Sequence, residues 1–136
     1  MSDTTIETPY GMDLLWASHK DYACKILVFH KAKNRTSMYF HKNTDKTWFC
    51  NAGKFKLRYV DVKDGSMYEA ELEEGKVFNV PPLMPVQLEA LVDNSSITEA
   101  SNGYDEYDIY HVIPADKWEQ NEQANNKNTI WYWKIK

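Results

Sequence analysis

Short β-type segments, each followed by a turn signal, make up most of this 136-residue chain. The clearest is Phe55–Lys63, where apolar and polar residues alternate as in a strand with one buried face. Asp64-Gly65 follows directly and indicates a two-residue type I′ hairpin, because such a turn needs positive φ at both central positions. No long helical pattern interrupts the strands. The sequence therefore predicts an all-β sandwich or barrel.

Further strands are predicted where apolar and β-branched residues cluster between turns. They are Lys25–Lys31, Ser37–His41, Thr47–Asn51, Ser66–Leu72, Val77–Val80, Gln87–Val92 and Tyr107–Ile113. These strands place one domain in residues 1–114, and residues 115–136 are predicted to form a C-terminal extension. The extension would contain a short helix opened by the capping-box spacing Asp116–Glu119, then a strand-like aromatic segment, Ile130–Lys136.

The composition and charge of the chain exclude several kinds of protein and partner. The residues are 43% hydrophobic, which is too apolar for a disordered chain. The formal net charge is −4 and no basic stripe is present, so no nucleic-acid partner is expected. No apolar run is long enough to span a bilayer, and Met1–Tyr10 lacks signal-peptide character. Cys24 and Cys50 show no disulfide or zinc spacing. We therefore expect a cytoplasmic protein with free thiols.

The stretch Tyr10–Ile113 resembles the cupin domain of type II mannose-6-phosphate isomerases. Its segment Ser37–His41 (SMYFH), followed by Trp48 and Gly53, follows that family's S-x-Q-x-H … W … G signature. Other matching positions are Tyr10-Gly11 with Leu15-Trp16, Glu74-Gly75 before Val80-Pro81-Pro82, and the acidic segment Asp105–Ile109. The resemblance implies a cupin double-stranded β-helix, which is a jelly-roll barrel, with the short C-terminal extension. With the aromatic tail, it also implies a homodimer.

The same resemblance implies where metal ligands would lie. The family uses a glutamine or histidine, a histidine, a glutamate and a later histidine, and these places hold Tyr39, His41, Lys46 and Val86. A lysine ammonium repels a dication, and valine has no lone pair to offer. We therefore expect no metal and no other cofactor, with replacement ligands such as His30 or Asp45 left open. His111 stands near the family's late arginine, so a metal-dependent mannose-6-phosphate isomerase is not expected.

His41 is the sharpest catalytic candidate. By alternation it shares a strand face with Ser37 and Tyr39, and in the relatives that face points into the barrel. His41 would act as a general base and Tyr39 as a proton donor, and Lys46 would stabilise an enolate or hold a phosphate. The alternative is a barrel histidine that only hydrogen-bonds its neighbours. The further candidate ligand-binding residues are Arg35, Lys25, Arg58 and His111.

Two functions from different classes follow. The first is a non-catalytic or vestigial cupin that binds a small ligand, sugar or sugar phosphate, in the barrel. The second is a metal-free isomerase or epimerase that acts on an activated sugar, with His41 as the base. The aromatic residues Trp48, Tyr59, Tyr68 and Phe78 are either a stacking face for a sugar or part of the core, and core packing is favoured.

Overall fold

A computed structural model describes residues 5–118, which contain eleven strands and one short 3₁₀ helix, Ala115–Lys117. The strands are β1 (Thr5–Thr8), β2 (Gly11–Ser18), β3 (Ala23–Phe29), β4 (Met38–Phe40), β5 (Lys46–Ala52), β6 (Lys54–Asp61), β7 (Ser66–Glu73), β8 (Val77–Val80), β9 (Val86–Ala90), β10 (Ser95–Ser101) and β11 (Tyr110–Ile113). No helix within this part of the chain is long and apolar enough to cross a membrane.

The strands form two antiparallel sheets. The first, sheet A, has the order β1-β2-β3-β10-β5-β8, and the second, sheet B, has the order β11-β4-β9-β6-β7. Strands that are neighbours in space are often distant in sequence, as where β10 lies between β3 and β5. The prediction of an all-β barrel is therefore confirmed.

The main core lies between the two sheets and is built from alternating inward side chains. Phe29, Trp48, Phe55, Leu88 and Ile97 are all fully buried there. A second cluster lies on the opposite face of sheet B, where Met38, Val60 and Met67 are buried beneath Ile113 and Trp118. Part of the outer face of sheet B is thus covered by Trp118, which comes from the chain after β11.

Two glycines of the sequence signature, Gly11 and Gly53, lie where a residue of another strand approaches the glycine backbone closely. A Cβ on Gly53, where φ is +77°, would lie 2.1 Å from Ser95 Oγ. A Cβ on Gly11, where φ is +154°, would lie 2.1 Å from the Val28 carbonyl oxygen. Both positions combine a left-handed φ with no room for a side chain, so glycine is required there.

Each strand predicted within residues 5–118 is present, with ends shifted by a few residues, but three strands of this range were missed. β2 was missed because a bulge between Leu15 and Ala17 breaks its alternation, and β10 because its sequence, SSITEAS, is mostly polar. β1 is short and half-exposed. Residues 107–109 precede β11 rather than belong to it, because Asp108 turns back and its amide donates to Asp105 O.

The hairpin after β6 also differs from its prediction. β6 and β7 pair from Asp61↔Ser66, so the loop has four residues, and only Gly65 has a positive φ, of +69°. Its amide donates to Asp61 O at 2.7 Å, which closes a wider turn than type I′. At the other end, the 3₁₀ helix follows Pro114 and has no side-chain cap. Glu119 and Ile130–Lys136 lie outside the described residues.

Candidate functional site

A cavity of about 670 Å³ opens at one end of the barrel, between the inner faces of the two sheets. Residues from both sheets and from the chain after β11 line it: Thr8, Pro9, Tyr10, Asp13, Lys25, Leu27, Arg35, Thr36, Ser37, Tyr39, His41, Ile109, His111, Pro114, Ala115 and Asp116. A volume of this size is typical of a site for a small molecule. A smaller cavity of about 190 Å³ shares Asp13, Lys25, His41 and Ile109 with it and continues beneath the 101–106 segment.

His41 is held in one orientation at this wall. Its Nδ1 lies in hydrogen-bond contact with the Asp108 carbonyl oxygen, and the Asp108 carboxylate accepts from the amides of Lys42 and Asn43 at 2.8 and 2.9 Å. Burial and the nearby Lys46 ammonium lower the pKa of His41 below its usual value. The ring is therefore neutral near pH 7, with Nδ1 as the donor and Nε2 as an acceptor. No residue in the 5–118 range makes a hydrogen bond to Nε2.

Tyr39 lies beside His41 and is backed by a buried ion pair. Its hydroxyl accepts a hydrogen bond from Lys46 Nζ at 3.1 Å, and Lys46 Nζ lies 3.5 Å from Glu99 Oε1. The rings of Tyr39 and His41 meet edge to face, with centroids 5.5 Å apart. Burial, with the charge of Glu99, raises the pKa of Tyr39, so the phenol keeps its proton. Because its oxygen accepts from Lys46, that proton remains available to a group in the cavity.

Glu99 is the centre of the charged cluster. Its carboxylate accepts from Trp48 Nε1 at 2.9 Å and lies 3.8 Å from Lys25 Nζ. Burial alone would raise the pKa of Glu99, but Lys46, Lys25 and the Trp48 hydrogen bond together lower it to about 2. Lys25 also pairs with Asp13 at 3.5 Å, and Tyr10 donates its hydroxyl proton to Asp13. Two buried carboxylates thus face two lysines.

The alternation of sheet A explains how this cluster forms. Asp13, Lys25, Glu99 and Lys46 occupy inward positions on β2, β3, β10 and β5, which are neighbouring strands. Register pairs Lys25 with Glu99 directly across β3 and β10. Directly opposed charges of unlike sign are a favourable cross-strand pair. Asp13 and Glu99 were not predicted as site residues because β2 and β10 were not predicted as strands. Asp108 lies in the acidic segment Asp105–Ile109, but the sequence assigned it no role.

The residues chosen from the sequence are only partly brought together. His41, Tyr39, Lys25, Arg35 and His111 all lie on the cavity wall. His111 shares a hydrogen bond of 2.6 Å with Ser37, and Arg35 pairs with Glu89 at 3.2 Å. Lys46 is almost fully buried behind Tyr39, so it acts on the cavity through the tyrosine hydroxyl rather than by reaching into it.

Arg58 does not belong to this cavity. It lies on the opposite face of sheet B, where its guanidinium donates to Gln87 and Glu89 at 2.8 and 3.1 Å. Its Cζ also lies 4.9 Å from the ring centre of Trp118. The sequence analysis counts Arg58 among the candidate ligand-binding residues, but it does not line this cavity, because it alternates with Leu57 and Tyr59 and so faces away from them.

The four aromatic residues considered as a stacking face for a sugar take part in the packing of the barrel, which is the role that the sequence analysis favours. Trp48 is fully buried in the main core, and Tyr59 and Phe78 pack against that core with ring centroids 5.2 Å apart. Tyr68 stacks on Tyr59, and its hydroxyl donates to Asp64 at 2.6 Å. None of the four lines the large cavity.

The residues at the family's metal-ligand positions do not fit a divalent metal. The Tyr39 oxygen is already engaged by an ammonium, Lys46 is itself a cation, and Val86 is a fully buried core residue paired with Tyr39. The replacement ligands left open, His30 and Asp45, are exposed and do not line the cavity. Within residues 5–118 there is no cluster of three or more His, Cys, Asp or Glu side chains arranged to hold a metal ion.

Neither a protein-family model nor a curated protein sequence matches the chain. Solved structures do. Oxalate decarboxylase from Bacillus subtilis aligns with a TM-score of 0.72 and 14% identity over 93% of this chain and 35% of its own. CapF from Staphylococcus aureus, a capsular polysaccharide assembling protein, aligns with a TM-score of 0.72 and 15% identity over 80% and 31%. KdgF from Halomonas sp. aligns with a TM-score of 0.60 and 16% identity over 70% and 80%.

These likenesses show the cupin fold, as the sequence resemblance predicts. The chain spans about a third of the length of the first two proteins. The finer resemblance to mannose-6-phosphate isomerases stays a prediction.

Proposed function

We propose, from the cupin fold and the chemistry of its cavity, that this protein binds a small sugar-like molecule in the barrel, through protein side chains rather than a metal ion. The observation that carries the proposal is the cavity wall itself. Two polar groups lie side by side there: His41 Nε2, which can accept a hydrogen bond, and the Tyr39 hydroxyl, which can donate one. Apolar surface from Leu27 and Ile109 lies in the same wall.

This mixture suits a carbohydrate. A sugar presents hydroxyl groups that both donate and accept, and C–H faces that pack on apolar side chains. The wall also carries Arg35 and His111, which suit a uronate or phosphate group. CapF, which shares this fold, is a capsular polysaccharide assembling protein, and this supports a sugar ligand.

The test uses the full chain treated with a chelator. Thermal shift and calorimetry against aldoses, uronic acids and sugar phosphates should find at least one class that binds saturably. His41→Gln should weaken that binding about tenfold, the cost of one hydrogen bond lost from a buried site. His19→Gln is the matched control, since His19 is exposed and lies outside the cavity. Saturable binding by none of the three classes, or equal affinity in His41→Gln, contradicts the proposal.

A second candidate function is a metal-free isomerase or epimerase, and the state of His41 and Tyr39 favours it. His41 is a neutral base with a fixed tautomer, and Tyr39 is a protonated acid 5.5 Å away between ring centres. His41 Nε2 would take the proton from a carbon next to a carbonyl, and the Tyr39 hydroxyl would donate to the resulting enolate oxygen.

This reaction has its own signature. In D₂O, a keto-sugar nucleotide incubated with the enzyme gains deuterium at the carbon that His41 deprotonates, and mass spectrometry detects it. The exchange should vanish in His41→Gln and fall in Tyr39→Phe. If the keto-sugar nucleotide binds but gains no deuterium, the isomerase function is excluded and only the binding function stands.

A further inference from the structure

Asp108 is a buried acid that takes no direct part in the cavity. It lies in the chain between β10 and β11 and is only 4% exposed, whereas the four residues before it, 104–107, are all exposed. It lines neither the large cavity nor the small one. A carboxylate is rarely buried in this way unless its oxygens are fully engaged. Its burial therefore needs a reason other than contact with a ligand.

The carboxylate of Asp108 ties this segment to the β4–β5 turn, residues 41–45. Its Oδ1 accepts from the Lys42 amide at 2.8 Å, and its Oδ2 accepts from the Asn43 amide at 2.9 Å and the Thr44 hydroxyl at 3.0 Å. Hydrogen bonds to an ionised acceptor are among the strong ones. Because these three donors directly follow His41 in the chain, the carboxylate fixes the backbone on one side of the histidine.

The main chain of the same residue fixes the imidazole ring. The Asp108 carbonyl oxygen can only accept, so His41 Nδ1 must carry the proton in the hydrogen bond between them. The hydrogen bond made by one ring nitrogen decides the state of the other, and Nε2 is therefore an acceptor. Without this carbonyl, either nitrogen could carry the proton, and Nε2 would be a donor in a fraction of the molecules.

A second tie holds the other end of the segment on the same turn. The Asn102 side chain donates to Asn43 O at 3.3 Å and accepts from the Asp45 amide at 3.1 Å. Between the two ties, residues 103–106 line the small cavity, and the Tyr104 ring centre lies 5.6 Å from Lys25 Nζ. The 102–108 segment thus docks on the turn at both ends, and its docking brings the Asp108 carbonyl to His41.

We propose that Asp108 is a positioning residue: its carboxylate docks the 102–108 segment on the β4–β5 turn, and this docking places its carbonyl where it fixes the His41 tautomer. Segment docking and ligand binding are then coupled, because an undocked segment leaves His41 in two tautomers, and only one of them can accept from a ligand at Nε2. The coupling rests on the proposed function, in which Nε2 accepts from a sugar, whereas the tautomer is a property of the ligand-free protein.

The tautomer is measured by ¹⁵N NMR of the His41 ring in the ligand-free full chain at about pH 8, where an imidazole is neutral. Wild type should show one tautomer, with the proton on Nδ1. Asp108→Ala should show both tautomers, and Asp108→Asn, which keeps one acceptor oxygen, should lie between them. Asp93→Ala is the matched control, because the Asp93 carboxylate also accepts from a distant amide, that of Ala32 at 2.8 Å, but lies away from the cavity.

Calorimetry then measures the coupling. Asp108→Ala should bind the sugar class that wild type binds about tenfold more weakly, the cost of losing one oriented hydrogen bond, and Asp93→Ala should bind it normally. If circular dichroism shows that Asp108→Ala does not fold, Asp108→Asn decides in its place, through the same two measurements.

A wild-type His41 with both tautomers, or with the proton on Nε2, overturns the inference. So does a folded Asp108 variant that keeps the single wild-type tautomer. A changed tautomer with unchanged sugar affinity overturns the coupling to binding. If no sugar class binds wild type while the tautomers change as expected, the proposed function fails and the positioning role of Asp108 is supported.

Discussion

At the scale of single residues, Glu99 determines the state of the whole site. It is the acceptor for Trp48 and the counter-charge for both Lys25 and Lys46, and it is only 5% exposed. Lys46 in turn holds the Tyr39 hydroxyl. A buried charge without its partner is far more costly than an exposed one. The chemistry of the cavity wall therefore depends on a residue that does not line the large cavity.

Glu99→Gln should lower the free energy of unfolding by about 3–5 kcal/mol, because it leaves two lysines near one remaining carboxylate. Urea denaturation at pH 7 measures this. Glu71→Gln is the control, since Glu71 pairs with Lys54 at an exposed position and should change stability little. A loss for Glu99→Gln as small as that of the control would show that the buried cluster does not stabilise the fold.

Glu99 also makes the stability of the folded protein depend on pH in acid. The pKa of Glu99 is about 2 in the folded protein against an ordinary value of 4.5. A lowered carboxyl pKa contributes stability that is complete above about pH 4.5 and is lost as the pH falls through about 2. Wild type should therefore lose stability over this window, and Glu99→Gln should show a smaller pH dependence there. Parallel curves for the two proteins would contradict the assignment.

His41 gives a second pH prediction. Its pKa lies below the ordinary 6.5 because of burial and Lys46, so its neutral form persists below that pH. Ligand binding that uses Nε2 as an acceptor should be constant above about pH 6.5 and weaken as the pH falls through the folded-state pKa. An NMR titration of the His41 ring measures that pKa directly. A midpoint above 6.5 would contradict the buried, neutral imidazole.

At the scale of strands and turns, the close contacts between neighbouring elements fix the register. Gly53 separates β5 from β6 and lies against Ser95, whose Oγ donates to Val92 O at 2.8 Å. The serine is fully buried and has little freedom to move. The turn at Gly65 has a similar backbone conformation, but a Cβ there meets nothing within 4 Å.

Gly53→Ala and Gly65→Ala therefore separate backbone strain from a clash. Gly65→Ala should cost about 1 kcal/mol, the price of a left-handed alanine. Gly53→Ala should cost about 2 kcal/mol more, because its Cβ collides with Ser95. Thermal and urea unfolding measure both. Equal losses would show that Ser95 yields to the new methyl group.

The sequence predicts elements well where alternation and turn residues agree, and poorly elsewhere. Phe55–Lys63 was identified because both signals coincide, and the inward placement of Tyr39 and His41 follows from alternation in the same way. β10 was missed because its inward residues include Ser95 and Glu99, which are polar residues buried by tertiary pairing. Since Glu99 lies on β10, the charged half of the site could not be assembled from sequence.

At the scale of the whole molecule, the C-terminal segment completes the domain. Trp118 packs on the outer face of sheet B beside Ile113, and its ring lies 4.9 Å from the Arg58 guanidinium carbon. The 114–118 segment also borders the cavity through Pro114, Ala115 and Asp116. One short segment thus covers the second hydrophobic cluster and helps shape the ligand site.

Trp118→Ala should lower the free energy of unfolding by about 3–5 kcal/mol, as expected for removing a fully buried large side chain. Tyr107→Ala is the control, because Tyr107 is 83% exposed, and it should change stability by less than about 0.5 kcal/mol. Chemical denaturation of the full chain gives both values. A small effect for Trp118→Ala would mean that the segment does not dock stably on sheet B.

Metal-free sugar binding in the barrel is tested most directly by an NMR titration of the chelator-treated, ¹⁵N-labelled chain with aldoses, uronic acids and sugar phosphates. We expect saturable shifts concentrated on residues 37–41 and 109–111, unchanged when a divalent cation is added. Shifts that appear only after the cation is added, or that cluster away from the cavity, would contradict it.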